Sequence, residues 1–396
     1  MNNTAEIRAT EVGLNAHIAG SARRAMLHSV PLSQDVLPKQ TGNESKRTSR
    51  SLGHRGRRAR GHGSSHGPTL ILAGDVGGTK TLLEIGEFKD DRWVTVFGVR
   101  YLDTGHRDFF SVLNTFFSEW HAQQGAARQI ARACFGVAGP VFNNRAQMTN
   151  LPWLIDGNAI AERFEIPRVR LANDFAAAAK GIELLKAADL VTLQSGESLA
   201  GAPRVVIGPG TGLGVAYLVW AAQQYLVVAG EGGHAGFAPA TPEAFDLFRD
   251  FYLREGRVSS EYVVSGPGLV RIYEFLCRSE NKPPAVAGAL TAGDGAAVIT
   301  HAALERGDPM CLRALDLFIF CFGALAGDHA LSVMARGGVY LAGGIAPKIL
   351  PRLSNGGFCS AFNAKGDYSA FVKKIPVHVV INEKLGLLGA ALLAHD

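Results

Sequence analysis

An α/β fold in two domains is predicted for this chain by three observations. A strand ending in glycine occurs twice, at residues 70–78 (LILAGDVGG) and 205–214 (VVIGPGTGLG), and each time a second apolar run follows almost at once. Extended and helical stretches are interspersed along the chain. Its 396 residues are enough for two sizeable cores.

The elements follow in order from about Thr69. The apolar runs 70–73, 82–85 and 93–101 read as three consecutive strands, and 108–121 as a helix. Residues 134–138 are a further strand ending at Gly139 and Pro140, and 169–172 a strand running straight into Asn173 and Asp174, with an Ala-rich helix from Phe175. Beyond the second glycine segment, residues 215–220 read as strand, and helical stretches are expected to dominate from there to the C-terminus. Leu315, Phe318, Ile319, Phe322, Leu325 and Ala326 have the spacing of one buried helix face, which makes them core. The last strong strand, 338–342 (GVYLA), ends at Gly343 and Gly344 and leads through Ile345 and Pro347 into a helical segment.

Composition bounds the function. With 47% hydrophobic and 19% charged residues the chain is an ordinary globular sequence. No apolar run is expected to approach a membrane span and no signal-peptide core opens the chain, so a cytoplasmic protein without membrane association is the expectation. Cys134, Cys277, Cys311, Cys321 and Cys359 are odd in number and widely spaced, which suits reduced core thiols rather than disulfides or a structural zinc site. Residues 1–68 hold 11 Lys and Arg against 4 Asp and Glu, leaving 29 against 31 in the rest, so the body is nearly neutral. This basic segment ends in Arg, Gly, His and Ser (46–66, KRTSRSLGHRGRRARGHGSSH) and reads as a disordered extension. It shows neither interleaved aromatics nor a helix-turn-helix pattern, so no specific nucleic-acid partner is expected.

Both glycine segments have the chemistry of a phosphate grip. Glycine lets backbone N–H groups approach a polyphosphate with no Cβ in the way, so a glycine-dense hairpin can offer several donors to one anion. In the first, Gly77, Gly78 and Thr79 form the turn, Lys80 adds a charge, and Asp75 stands at the strand end, placed to hold the water shell of a magnesium ion. In the second, Gly210 and Gly212 flank Thr211. Either hairpin alone is equally well an ordinary tight turn, but two in one chain point to a nucleotide. A Walker loop is set aside because Thr79, not glycine, precedes Lys80, and a dinucleotide fingerprint because 81–88 and 215–220 continue as strand where it needs a helix. The glycine pair Gly343 and Gly344 can let an adenine or ribose lie against backbone, or simply turn strand into helix. Asn173 and Asp174 can cap the helix that follows them, a role compatible with catalysis.

The ordered set GDVGGTK, LANDF, GPGTGLG, GEGGH, SSEYVVSGPG and LAGGI resembles the bacterial glucokinases of the actin-like (hexokinase-type) sugar kinase superfamily, over residues from about 70 to 396. It is most similar to the branch without zinc, since GEGGHAGFAP stands where the related repressor and kinase group carries a cysteine-rich metal motif. The resemblance implies an α/β fold of two RNase H-like domains, residues 69–184 plus 382–396 and residues 185–381, meeting at a cleft that holds ATP and glucose. It implies Asp174 as catalytic base and Asn173, Asp174, Glu231, His234 and Glu261 as sugar ligands. The nucleotide and its magnesium would fall to Asp75, Gly77, Gly78, Thr79, Gly210, Thr211, Gly212, Gly343 and Gly344. The implied activity is phosphorylation of glucose to glucose 6-phosphate at the entry to glycolysis, by a homodimer. Residue chemistry agrees: carboxylate, amide and imidazole can pair with a ring of hydroxyls, and an Asp at a strand end can take the proton of a primary hydroxyl as it attacks phosphorus. Lys80 departs from the family, where Asn is common. A kinase for mannose, glucosamine or an N-acetylhexosamine, and a sugar-sensing regulator on the same fold, are the alternatives.

Overall fold

The computed structural model describes residues 69–124, 128–149, 151–282, 286 and 294–396. The basic segment 1–68, read as a disordered extension, lies outside them.

The first sheet starts with β1 (Leu70–Val76), whose apolar run is covered on both faces. It pairs antiparallel with β2 (Lys80–Lys89), which pairs antiparallel with β3 (Arg92–Leu102). Helix α1 (Phe109–Gln124) returns the chain so that β4 (Ile130–Val137) joins β1 in parallel. A small separate sheet of β5 (Val141–Phe142), β6 (Arg145–Gln147) and β7 (Leu154–Asp156), then helix α2 (Gly157–Arg163), precede β8 (Arg168–Asn173), which lies parallel to β4. The order is β3-β2-β1-β4-β8. Helix α3 (Asp174–Gly181) and strand β9 (Leu190–Gln194) carry the chain onward.

The second sheet repeats this plan. Strands β10 (Arg204–Pro209), β11 (Leu213–Ala221) and β12 (Gln224–Gly230) form an antiparallel meander. Next come α4 (Pro242–Glu255), α5 (Ser260–Val263), α6 (Gly266–Ser279), α7 (Gly295–Arg306) and α8 (Pro309–Ser332). Strand β13 (Val339–Leu341) then pairs in parallel with β10. After α9 (Leu350–Leu353), α10 (Gly357–Asn363) and α11 (Ser369–Val372), β14 (Val377–Val380) adds parallel to β13, with β9 antiparallel on its far side. Each sheet is thus a three-stranded meander continued by two parallel strands, one topology used twice. Helices dominate after the second hairpin, as expected, and the two strands there that the sequence did not signal are β12 and β14. Only Tyr225 is fully buried in β12, and β14 has four residues, so neither carries the alternation that marks a strand.

Two helices lie between the sheets. The chain's last helix, α12 (Leu385–His395), packs Leu387, Ala390, Ala391 and Ala394 on Ile71, Ala73 and Cys134 of the first sheet. From α3 and the turn after it, Ala179 and Ile182 pack on Val206, Ala216 and Leu218 of the second. The helices cross backbone to backbone: a Cβ on Gly389 would fall inside the Ala177 carbonyl, and one on Gly181 inside that of Leu385. Beside the crossing, the buried Lys180 ammonium pairs with Glu183 at 2.9 Å and Asp396 at 3.1 Å and donates to the Tyr225 carbonyl at 3.3 Å, tying α3, α12 and β12 together.

The expectation that no apolar run approaches a membrane span is corrected. Helix α8 is long and apolar enough by composition, with mean hydropathy 1.8 over its most apolar window, but 72% of that window is buried inside the fold. It is wrapped on several sides by the larger core, which explains its lack of a polar face. The five cysteines are free thiols, four of them buried.

Candidate active site

The sequence segments with chemistry gather where strands of both sheets end, the usual place for ligands in α/β folds. Asp75 is the penultimate residue of β1, opposite Leu82 of β2 and Gly136 of β4. The first turn of α12 presses on it, with a Cβ on Gly386 falling 2.9 Å from the Asp75 carboxyl carbon. Burial pushes this carboxyl up to about 6, the charge of Asp174 adds to the rise, and Lys80 opposes it. The turn that follows is closed by Gly77 N–H donating to the Lys80 carbonyl at 3.1 Å, with Gly78 and Thr79 at its tip.

Asn173 and Asp174 stand where β8 becomes α3, and the helix-capping role is realised. Asn173 Oδ1 accepts from the N–H groups of Phe175 and Ala176, both at 3.1 Å, and its amide donates to the Gly139 carbonyl at 3.3 Å. Asp174 Oδ1 accepts from Phe175 N–H at 2.7 Å. Burial raises the Asp174 carboxyl above its ordinary range, backbone and Asn173 hydrogen bonds pull it down, and the Glu231 charge raises it further. The structure therefore places Asp174 within electrostatic reach of both Asp75 and Glu231, although the three lie far apart in sequence.

The second hairpin docks on this helix. The Phe175 ring lies against Gly214, where an added Cβ would fall 2.2 Å from a ring carbon and force the ring to move. At the hairpin's tip Gly210 N–H donates to the Gly212 carbonyl at 2.8 Å, next to Thr211. Glu261, in the first turn of α5, reaches across to accept Leu213 N–H on Oε2 at 2.8 Å. Glu231 bridges to Val215 of β11 and opens the short turn Gly232–His234, whose next carbonyl, that of Ala235, accepts Ser260 N–H at 2.8 Å. Glu231 and His234 present exposed side chains on this turn, and the His234 carbonyl is held by Arg257 at 2.7 Å.

Gly343, with φ +78°, turns the chain out of β13, and Ile345 N–H donates to the Pro209 carbonyl at 3.3 Å, so this turn lies beside the second hairpin. Between them opens a cavity of 770 Å³ lined by Gly210, Thr211 and Gly344 together with Arg271, Asp294 and Lys348. Its size suits a nucleotide. Gly77, Gly78 and Thr79 do not line it; they close the end of the other sheet. Sequence reasoning missed Arg271, Asp294 and Lys348, since they come from three separate places: α6, the N-cap of α7 and the turn before α9. The SGPG segment before Arg271 was the nearest available signal.

The arrangement offers a buried-edge carboxylate with a raised proton affinity, hydroxyl-matching groups beside it, and glycine N–H donors flanking a cavity. Among the described residues no three His, Cys, Asp or Glu side chains gather as a metal-binding group. A single carboxylate such as Asp75 is nonetheless what a magnesium ion takes when nucleotide phosphates and water complete its shell, and the close Asp75–Asp174 pair favours a cation.

Comparison with known proteins agrees. The glucokinase family model matches residues 72–396. A glucokinase of Nostoc sp. is 40% identical over 344 residues, covering 82% of this chain and 99% of that one. One from Synechocystis sp. is 39% identical over 347 residues, covering 82% and 97%. Among solved structures, a glucokinase from an Antarctic psychrotroph superposes with a TM-score of 0.74 at 28% identity, covering 82% of this chain and 98% of that one. With the duplicated α/β topology and this extent of matching sequence, the chain belongs to the glucokinase family of sugar kinases.

Proposed function

We propose that the protein transfers the γ-phosphoryl group of ATP to the primary hydroxyl of D-glucose, giving glucose 6-phosphate and ADP. The observation that carries this reading is Asp174: a carboxylate of raised proton affinity at the start of α3, clamped through Phe175 onto the glycine hairpin that borders the cavity. In this reading Asn173, Glu231, His234 and Glu261 hold the sugar hydroxyls, and Asp174 accepts the proton of the attacking oxygen. Backbone donors at Gly77, Gly78, Thr79, Gly210, Thr211 and Gly212 take charge on the phosphates, with Gly343 and Gly344 beside the nucleoside. Asp75 holds magnesium, which when bound neutralises phosphate charge. Residues 69–184 with 382–396 and residues 185–381 act as two bodies that close on glucose and exclude water, suppressing ATP hydrolysis. A cytoplasmic homodimer accords with the family.

The test is ADP release with magnesium ATP against glucose, mannose, fructose, glucosamine and N-acetylated hexosamines, with a sugar-free control. Strong preference for glucose over a low background is expected. Release that is independent of sugar, or highest with another hexose, would overturn the assignment.

A further inference from the structure

One corner of the molecule touches both halves of the proposed reaction. Arg271, in the second turn of α6, lines the 770 Å³ cavity beside Gly210, Thr211 and Gly344. Its guanidinium carbon lies 3.9 Å from the centre of the Tyr262 ring, and Nη1 donates to the Tyr262 carbonyl at 3.1 Å. Stacking and hydrogen bond together fix the plane of the guanidinium, and its other N–H donors have no carboxylate partner among the described residues.

Tyr262 is itself held on three sides. Its N–H donates to Ser259 Oγ at 3.2 Å, its hydroxyl to Glu255 at 2.9 Å, and its carbonyl is the one that accepts from Arg271. The preceding residue is Glu261, whose Oε2 accepts Leu213 N–H at 2.8 Å at the hairpin tip. Gly266 N–H donates to the Gly210 carbonyl at 2.8 Å, and Gly266 opens the helix that carries Arg271. The contacts form a closed ring through Arg271, Tyr262, Glu261, Leu213, Gly210 and Gly266. It has the cavity on one side and the Glu261 carboxylate on the other.

The geometry points to Arg271 as a positioning residue that couples sugar binding to nucleotide binding. A nucleotide oxygen that takes up one of the remaining guanidinium N–H donors pulls on the stacked Tyr262, and Glu261 beside it, holding the hairpin through one oxygen, offers the other to the sugar. This inference rests on the functional reading above, with Glu261 as sugar ligand and the cavity as nucleotide site. Linkage makes the effect reciprocal: whatever factor the nucleotide lends to glucose affinity, glucose returns to the nucleotide. A lysine would keep the charge but not the plane that stacks on Tyr262.

The test measures the dissociation constant of magnesium AMPPNP by calorimetry, with and without saturating glucose, for the full chain and for Arg271→Met and Arg271→Lys. Glucose is expected to tighten nucleotide binding roughly tenfold in the unsubstituted protein, within the usual range of coupling between sites. Arg271→Met should bring that ratio close to one, while glucose affinity measured alone stays within about twofold. Arg271→Lys should recover nucleotide affinity without recovering the ratio. A residue that merely supports the fold would weaken both ligands and leave the ratio intact. An unchanged ratio in Arg271→Met or in Arg271→Lys, or a ratio of one in the unsubstituted protein, overturns the coupling and leaves the kinase assignment standing. Failure of the unsubstituted protein to bind glucose at all overturns the kinase assignment and the coupling together.

Discussion

Replacing Gly389 by Ala tests whether the crossing of α3 and α12 sets the active-site geometry. The new methyl would meet the carbonyl of Ala177 and the N–H of Gly181, both backbone atoms that cannot rotate aside. Restoring ordinary contact requires the helices to part by on the order of 1.5 Å. Overpacking of this kind costs about 3 kcal/mol at the upper end of the usual range. Alanine returns about 1 kcal/mol as the better helix former, for a net loss of about 2 kcal/mol. The catalytic consequence is larger in proportion, because α3 begins at Asp174 and α12 presses on Asp75. A displacement of about 1 Å at reacting groups can cost a hundredfold, so turnover should fall by roughly 10- to 100-fold. Urea unfolding and a coupled assay of glucose phosphorylation read the two effects. Gly105→Ala, where a Cβ would meet nothing within 4 Å, is the control and should change neither. A Gly389→Ala protein with the stability and turnover of the parent would refute the argument.

Other expectations follow from single groups. Asp174→Ala should lower turnover by roughly a hundredfold or more, and in the unsubstituted enzyme kcat/KM should fall, as pH drops, at a value above the ordinary carboxylate range because the base is raised; parent-like turnover in the variant removes Asp174 from the role. Asp75, raised from its ordinary 3.8 to about 6, binds its proton more tightly in the folded than in the unfolded chain, so its contribution to stability falls as pH rises through that window. Asp75 as a residue is only partly buried, so the cost above pH 6 is about 1–3 kcal/mol. Asp75→Asn, without magnesium, should therefore unfold at higher urea than the parent at pH 8 but not at pH 4, and an equal difference at both would dissociate Asp75 from the effect. Lys180→Met leaves Glu183, Asp396 and the Tyr225 carbonyl without their shared cation and should cost about 2 kcal/mol, less than a fully buried pair since both carboxylates reach solvent. Unchanged urea unfolding would show that the cluster contributes nothing net.

The glycine hairpins were legible because the same glycine-dense turn after a strand occurs twice in one chain. β1 and β10 were legible as apolar runs, and the LANDF and GEGGH segments through their order along the chain. The capping by Asn173 was foreseen from residue type alone. What stayed hidden had no local signal. β12 is an edge strand with a single fully buried residue, and β5, β6 and β7 are two or three residues long. The cavity lining is assembled from residues as distant as Thr211 and Lys348, a proximity that only the tertiary fold creates. The burial of α8 on several sides was hidden too, since its apolar surface follows from neighbours on every flank and not from any pattern along the helix.

The position of α12 has a consequence for how the molecule is made. Its residues fill one face of the sheet begun by β1, roughly 300 positions earlier in the chain, so that contact closes a very long loop. Until it docks, Ile71, Ala73 and Cys134 are bare and the neighbourhood of Asp75 is unfinished. A nascent chain on the ribosome would therefore have its glycine hairpins well before it has a complete site, and would expose an apolar sheet face throughout that interval. The site can be complete only once the last helix of the chain has been made and has docked.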